Sequence, residues 1–422
     1  MIWTLAVLPV LLLILGFPVF LVLLSAAAVS VLVHFNVPPT ILHQVMFGTL
    51  DSYALLAVPF FIFVGEIMGS GGVSRRLVNW CNALFANFRG GLPITSVAAC
   101  TVFGAISGSS PATVAAIGRI TFQPMRTAGY SERFASGVLT SSGVIANIIP
   151  PSVAMILYAT SAQELVVQLF TAGILPGILF SAAFMAYIYW RALRDGLAAP
   201  GGFSWGRVWQ ETRKGALALG MPVIILGGIY SGVFSPTEAA GVACVYAIAV
   251  TMLAYREIDL PGLFRVAAGS ATRTAQILVI VACSGVFSWL LTTSGAAPRL
   301  VAWFSALDVS PLVALLLINI FLLIVGAVID TASAILLLTP LLVPIVKALG
   351  IDPVHFGIIM TVNLSIGMFT PPFGLNIFVA QAVFGSELRT IYAGIAPYIA
   401  ISILVLFIIT YVPGLSLWLT QL

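Results

Sequence analysis

Long apolar runs separated by short polar breaks recur along this chain of 422 residues. A helix needs roughly 20 apolar residues to cross about 30 Å of hydrocarbon, and many of these runs are long enough. Hydrophobic residues make up 61% of the chain and charged residues 7%, whereas about a quarter of a soluble domain is charged. So few charges could not cover the surface of a soluble fold. The sequence therefore predicts an all-α polytopic membrane protein.

Several other classes of protein are disfavoured by the residue patterns. The four cysteines have no CxxC spacing and the three histidines form no HExxH pair, so a disulfide framework or a metal enzyme has little support. No GxxxxGK[ST] sequence occurs, so any transport must draw on an ion gradient rather than ATP. No basic stripe alternates with aromatic residues. We therefore expect no enzyme activity, no organic cofactor and no nucleic-acid partner.

The apolar runs divide the chain into predicted spans and hairpins. Gly16 and Pro18 interrupt the opening stretch, which is one kinked helix or two short ones and is read as membrane structure rather than as a signal peptide. The prediction comprises an opening stretch at 3–35, a first hairpin at 92–128, a second hairpin at 311–349, and spans at 51–69, 134–160, 164–190, 215–233, 237–254, 274–292, 354–382 and 388–412.

Basic residues concentrate in alternate loops. If the loop 191–214 is cytoplasmic and successive spans cross the membrane in opposite directions, nearly all other arginines lie on the cytoplasmic side. Only Arg299 and Lys347 lie on the opposite side, and Arg119 lies inside a hairpin arm. The positive-inside rule predicts this asymmetry. The net charge of +4 therefore reflects the topology of a multi-pass membrane protein.

The chain contains an internal repeat. A Pro-Pro pair interrupts a long apolar run at Pro150 and again at Pro371, and each pair follows a glycine (Gly129 or Gly350) by 21 residues, which gives an offset of 221 (371 minus 150). A Gly/Ser/Thr-containing hairpin precedes each pair. Five predicted spans, an odd number, lie between the hairpins, so the two repeats are inverted. Inverted repeats with broken helices are typical of secondary transporters, whose sites lie where the breaks meet.

Polar groups at these interruptions are candidate ligands. Proline removes a backbone donor and frees carbonyl groups, and free carbonyls are good ligands for a hard cation such as Na⁺. Helix starts at the hairpin tips could hold a carboxylate. The candidates on these grounds are Ser107, Ser109, Ser110 and Thr113 at the first tip, Asp330, Thr331 and Ser333 at the second, Pro150 and Pro371 at the breaks, and Asn147 and Asn376 beside them.

These motifs resemble the large membrane subunit of TRAP (tripartite ATP-independent periplasmic) transporters. The similar segments lie along nearly the whole chain, at Leu56–Met68, Gly108–Thr113, Ile149–Ser152, Gly232–Ala240 and Phe369–Asn376. The resemblance implies a Na⁺-coupled elevator-type carrier of carboxylates such as sialic acids or C4-dicarboxylates. It also implies two partners, a small four-helix membrane subunit and a soluble periplasmic binding protein. Its sodium ligands would lie near the tips and breaks, which adds Gly143, Ile149, Gly326, Gly367 and Thr370 to the candidates.

Some of these residues also have structural interpretations. Asp330 either serves ion or substrate binding or caps the helix that starts at Thr331. The serine cluster fits a hairpin tip or close helix packing, and both asparagines fit substrate contact or interhelical hydrogen bonds. Ser235 and Glu238 have the spacing of a capping box, so a structural role is expected there.

The predicted organisation assigns 1–91 to N-terminal scaffold helices, 92–160 to the first hairpin and broken helix, 161–310 to scaffold and connecting helices, 311–382 to the second hairpin and broken helix, and 383–422 to a C-terminal helix. The predicted function is sodium-driven carboxylate uptake, with the hairpin-bearing part moving against the scaffold. A stand-alone divalent-anion/sodium symporter, which needs no binding protein, is the main alternative. A channel and an intramembrane enzyme are further rivals.

Overall fold

The computed structural model describes residues 3–35, 37–70, 72–196, 202–306 and 309–421, and over these ranges the chain is helical without a β-strand. The predicted all-α class is confirmed. In these ranges, seven helices are long and apolar enough to cross a membrane, and an eighth span is obtained if one bent pair of helices is counted as a single crossing. Backbone groups in hydrocarbon need partners within their own segment, which explains why the spans are helical.

The N-terminal part contains short helices as well as a span. Gly16, with φ of +81°, and Pro18 separate the first two helices, so the opening stretch is two helices. The span prediction did not include α3 or α5 as helices. The bounds are α1 Leu8–Ile14, α2 Val19–His34, α3 Thr40–Leu50, α4 Ala57–Ser70 and α5 Val73–Phe85.

The first predicted hairpin and broken helix are present. The hairpin turns at Gly108, and the helix that follows is interrupted at 149–152, where the prolines prevent continuous intrahelical bonding. The two parts of this helix are bent by 41° relative to each other. The bounds are α6 Gly91–Ser107, α7 Ser110–Thr127, α8 Glu132–Ser142, α9 Ile145–Ile148 and α10 Val153–Ala162.

The middle of the chain contains the longest helices. The capping box predicted at Ser235 and Glu238 is confirmed at the start of α13, with the Glu238 carboxylate accepting from the Ser235 backbone N–H at 2.8 Å. The span predicted to start at 274 begins instead at Leu260. Arg273, which the sequence placed in a loop, therefore lies inside a helix. The bounds are α11 Val166–Arg194, α12 Trp205–Tyr230, α13 Pro236–Ile248, α14 Leu260–Thr293 and α15 Ala296–Ala306.

The second hairpin and broken helix are also present. The hairpin turns at 327–330, and the helix that follows is interrupted at 368–374 around its proline pair. The bounds are α16 Pro311–Gly326, α17 Thr331–Ala348, α18 Pro353–Gly367, α19 Leu375–Phe384, α20 Leu388–Tyr411 and α21 Gly414–Leu417.

The offset of 221 residues relates the two halves helix by helix. It carries α7, which spans 110–127, onto α17, which spans 331–348, and it carries the start of α8 onto the start of α18. Packing is reciprocal, because α10 packs on α17 while α19 packs on α7. Likewise, α11 packs on α18 and α20 packs on α8. The two halves therefore interlock, and each supplies helices that cover the other.

Candidate functional site

A cavity of about 470 Å³ lies where the hairpin tips and the broken helices meet. The helices α4 and α14 close its remaining side. The predicted candidates that line it are Ser107, Ser109, Asn147, Asp330 and Thr331. These residues come from both halves of the chain, so the interlocked packing brings both tips to one site.

Four helices start at or beside this cavity. The lining includes residues in the first turns of α7, α10, α17 and α19, namely Pro111, Val153, Ala332 and Leu375. The first backbone N–H groups of a helix have no intrahelical partner and carry partial positive charge. A cavity surrounded by several such helix starts favours an anionic ligand.

The first tip is held by its own hydroxyl groups. Gly108 ends α6 in the left-handed region, with φ of +55°, and a Cβ atom there would lie 2.6 Å from the Pro151 carbonyl oxygen. The Ser107 and Thr113 hydroxyl oxygens are 3.0 Å apart, and Thr113 donates to the Ser109 carbonyl at 2.9 Å. The tip therefore rests against the first helix break, in a conformation that only glycine adopts easily.

Asn147 links the first tip to the second break. Its Oδ1 atom accepts from the Ser110 backbone N–H at 3.0 Å, and its Nδ2 atom lies 3.2 Å from the Met368 sulfur. The Asn147 carbonyl also accepts from the Ser152 hydroxyl at 2.6 Å. Asn147 thus makes the interhelical hydrogen bonds considered from the sequence, and it also lines the cavity.

Asn376 lies behind the first tip. It is fully buried, and its amide N–H groups donate to the Ser110 hydroxyl at 2.7 Å and to the Thr140 carbonyl at 3.2 Å. The Asn376 Oδ1 atom is buried without a hydrogen-bond partner among the described residues. A Cβ atom on the nearby Gly143 would lie 3.0 Å from the Ser110 carbonyl oxygen. Several oxygen atoms therefore cluster at a buried point where there is no room for another side chain.

The second tip carries the acidic group. Asp330 is the N-cap of α17, accepts from the Ser333 backbone N–H at 3.1 Å, and is exposed towards the cavity. Asp330 therefore caps α17 and is also exposed to the cavity. The Thr331 hydroxyl donates to the Leu364 carbonyl at 3.3 Å. The offset of 221 relates Asp330 to Ser109, the N-cap of α7 (330 minus 109).

The remaining candidates do not line the cavity. Ser333, Ile149 and Pro150 are buried, Pro371 is half-buried, and the Thr370 hydroxyl donates to the Ile366 carbonyl at 2.8 Å. Gly326 and Gly367 pack against each other so closely that a Cβ atom on Gly367 would overlap the Gly326 backbone. These glycines allow the first arm of the second hairpin to approach the broken helix.

Charged and polar residues of α4 and α14 complete the site, and the sequence reasoning missed them. Glu66, near the end of the predicted span 51–69, and Arg273, outside the predicted span 274–292, both line the cavity and form an ion pair. Gln276, one turn further along α14, also lines it. The sequence contains one signal for Arg273. No glycine or proline separates it from the predicted span at 274–292, so the helix could have been extended to include it.

Comparison with known proteins agrees with this architecture. Residues 5–415 match the sequence profile of the family described as "Tripartite ATP-independent periplasmic transporter, DctM component". The C4-dicarboxylate TRAP transporter large permease protein DctM of Pseudomonas aeruginosa is 42% identical, over 88% of this chain and 87% of that protein. The sialic acid TRAP transporter large permease protein SiaM of Vibrio cholerae is 35% identical, over 90% and 89%.

Two further proteins are similar along almost the whole chain. The isethionate TRAP transporter permease protein DctMQ of Oleidesulfovibrio alaskensis is 37% identical over 96% of this chain, which spans 64% of that relative's length. The crystal structure of the Alcanivorax borkumensis YdaH transporter aligns with a TM-score of 0.65 over 98% of both chains, at 16% identity, and supports the fold alone. The chain is thus a multi-pass membrane protein of the DctM family, the large permeases of tripartite ATP-independent periplasmic transporters.

Proposed function

We propose that this chain is the large membrane subunit of a sodium-coupled TRAP transporter that imports a carboxylate solute. The observation that carries the proposal is the cavity of about 470 Å³ that both hairpin tips and both helix breaks share. Secondary transporters bind their solute near such meeting points of inverted repeats.

The surroundings of the cavity favour an anion. Four helix starts contribute partial positive charge. Arg273 contributes a full positive charge but is paired with Glu66, and Asp330 is a further acidic group in the lining. The relatives described above are named for C4-dicarboxylates, sialic acid and isethionate, and all three are anions. Isethionate is a sulfonate, whereas the other two solutes are carboxylates, and we propose a carboxylate of the sialic acid or C4-dicarboxylate class for this chain.

The buried oxygen cluster behind the first tip suits a sodium ion. Hard cations prefer oxygen ligands, and this cluster offers the Ser110 hydroxyl, the Thr140 carbonyl and the unpartnered Asn376 Oδ1. Rotation of the Asn376 amide by half a turn would aim Oδ1 at the other two oxygens. A bound ion there would satisfy the orphaned Asn376 oxygen.

The second half offers a related group of oxygens. The offset of 221 carries Ser110 onto Thr331 and Thr140 onto Thr361 (331 minus 110 and 361 minus 140). Thr331 lies 3.3 Å from the Leu364 carbonyl oxygen, and the Thr361 hydroxyl is buried without a partner among the described residues. We propose this group as a second, symmetry-related sodium position.

The helix packing suggests which parts move. The hairpins and broken helices pack on one another and on α11 and α20. The helices α4 and α14 pack together on the far side of the cavity, each also against a hairpin helix, and α5 packs between α12 and α6. We propose that α6–α11 and α16–α20 carry the solute across as one body, in an elevator motion, with α1–α5 and α12–α15 as the scaffold. This assignment moves α11 and α20 into the mobile part, which the sequence had limited to 92–160 and 311–382.

The family suggests the partners and the location. TRAP large permeases work with a small membrane subunit and a soluble periplasmic binding protein, so we propose both partners here, in a bacterial inner membrane. The main alternative is a stand-alone divalent-anion/sodium symporter, which would transport without the binding protein. The homologues, which are named as TRAP permeases, favour the first proposal.

Reconstitution tests the proposal. Proteoliposomes containing this chain and its small-subunit partner should take up radiolabelled succinate, sialic acid or isethionate only with an inward sodium gradient and the cognate binding protein. Uptake without the binding protein would favour the stand-alone symporter. Uptake that needs no sodium would exclude the coupling of transport to a sodium gradient.

A variant tests the sodium position. Asn376→Ala should raise the sodium concentration that gives half-maximal uptake, because the cluster loses one oxygen. Gln381→Ala, on the exposed side of the same helix α19, is the matched control and should leave sodium dependence unchanged. Equal sodium dependence in both variants would remove Asn376 from the site.

A further inference from the structure

An ion pair joins the two scaffold helices at the edge of the cavity. Arg273 on α14 and Glu66 on α4 form it, and both side chains line the cavity itself. The Arg273 side chain is 56% exposed and that of Glu66 is 21% exposed. The guanidinium group is therefore accessible to a solute while it is held by an internal carboxylate.

Glu66 also lines a second cavity. This polar vestibule has a volume of about 410 Å³ and is bordered by Ser70, Glu257, Asp259 and Arg265 as well as by Glu66. It lies where α4 ends and α14 begins, among the loops that the positive-inside rule assigns to the cytoplasm. Because Glu66 belongs to both cavities, the ion pair stands between the solute cavity and the cytoplasmic vestibule.

The pair joins the two halves of the molecule and has no symmetry-related counterpart. The offset of 221 places Phe287 at the position equivalent to Glu66 and Ser52 at the position equivalent to Arg273 (287 minus 66 and 273 minus 52). Neither residue can form an ion pair. Two identical inverted repeats would present the same groups to both sides of the membrane, so an ion pair without a symmetry-related counterpart can act on one side alone.

We infer that Arg273 is a release site for the anionic solute on the cytoplasmic side, with Glu66 as its built-in competitor. This inference rests on the proposed import of an anion. A solute carboxylate that leaves the hairpin tips pairs with Arg273 in place of Glu66. Water reaches the Arg273 side of this pair, and ion pairs screened by water contribute little net stability, so the exchange has a small cost in either direction. The return of Glu66 to Arg273 then expels the solute into the vestibule.

Two variants with opposite effects test this. The purified permease complex is titrated with succinate, sialic acid and isethionate by calorimetry, and the uptake of each is measured in proteoliposomes. Arg273→Gln should weaken binding of the transported anion by up to about fivefold, the upper end of the range for loss of one solvent-screened ion pair. Glu66→Gln should tighten binding, because Arg273 loses its competitor, and should slow uptake, because release becomes slower.

The controls separate this role from a structural one. Loss of a merely structural ion pair would shift binding in the same direction for both variants, so parallel shifts or no shift would overturn the inference. The double variant should behave like Arg273→Gln. Arg389→Gln, an exposed arginine at the start of α20, should leave binding unchanged. If the wild-type complex neither binds nor takes up any of the three anions, the proposed function fails and this inference fails with it.

Discussion

Asn147 and Met368 occupy equivalent positions in the two halves, 221 residues apart (368 minus 147), and they touch, with the Asn147 Nδ2 atom 3.2 Å from the Met368 sulfur. Residues related by an internal twofold axis can meet only close to that axis. The contact therefore marks the pseudo-axis of the molecule. Both residues also line the cavity, so the candidate site lies on the axis, where both helix breaks can contribute to it.

The two partners in this contact should respond differently to substitution. Asn147→Ala leaves the buried Ser110 N–H without its acceptor, and an unsatisfied buried group costs about 1–3 kcal/mol. Met368→Leu removes only a weak acceptor and nearly conserves volume, so it should cost less than about 1.5 kcal/mol. Thermal unfolding in detergent and solute uptake measure both effects. If Asn147→Ala unfolds at the wild-type temperature, the Ser110 contact contributes nothing.

Gly367→Ala should destabilise the second half strongly. The added methyl group would overlap the Gly326 backbone, so α16 must move away from α18. Overpacking of this kind costs about 1–3 kcal/mol, and uptake should fall as the melting temperature falls.

Gly227→Ala is the matched control for Gly367→Ala. Gly227 lies within α12 with open space around its Cα, so alanine should be neutral or stabilising by up to about 1 kcal/mol. If Gly367→Ala melts at the wild-type temperature, the close approach of the two helices is not required.

Two variants of Asp330 separate its role as the N-cap of α17 from the role of its negative charge at the cavity. Asp330→Asn keeps a good N-cap for α17 and should change stability by only a few tenths of a kcal/mol, whereas Asp330→Ala should cost about 1 kcal/mol. Both variants remove the negative charge at the cavity. We expect both to need more sodium for half-maximal uptake, because that charge attracts the cation.

Comparison of Asp330→Asn with Asp330→Ala decides between the two roles. If Asp330→Asn retains the wild-type sodium dependence and only Asp330→Ala is impaired, the residue acts as a helix cap alone. Melting temperatures recorded beside the uptake curves distinguish a loss of folding from a loss of sodium response.

The repeat, the hairpins and both helix breaks could be predicted from the sequence because their signals are local. Proline pairs break helices wherever they occur, and the Ser235–Glu238 capping box depends on only four consecutive residues. The offset between Pro150 and Pro371 then fixed the relation between the halves. None of these signals depends on which distant segments pack together.

The Glu66–Arg273 pair and the Asn376–Ser110 contact could not be predicted in the same way. They join residues more than 200 positions apart, and the sequence contains no pattern that selects those partners. The start of α14 was missed because Arg265 and Arg273 resemble loop residues, although a long helix can carry charges beyond the hydrocarbon layer. Its 34 residues are about 51 Å long, more than the hydrocarbon thickness.

The reciprocal packing of α10 on α17 and of α19 on α7 has a consequence for the ancestry of the fold. Each half covers helices of the other half. An ancestral single unit would have obtained the same cover by pairing with an identical chain inserted upside down in the bilayer. Fusion of two such antiparallel protomers fixes their opposed orientations permanently, and afterwards each copy is free to acquire residues, such as Arg273, that its counterpart lacks.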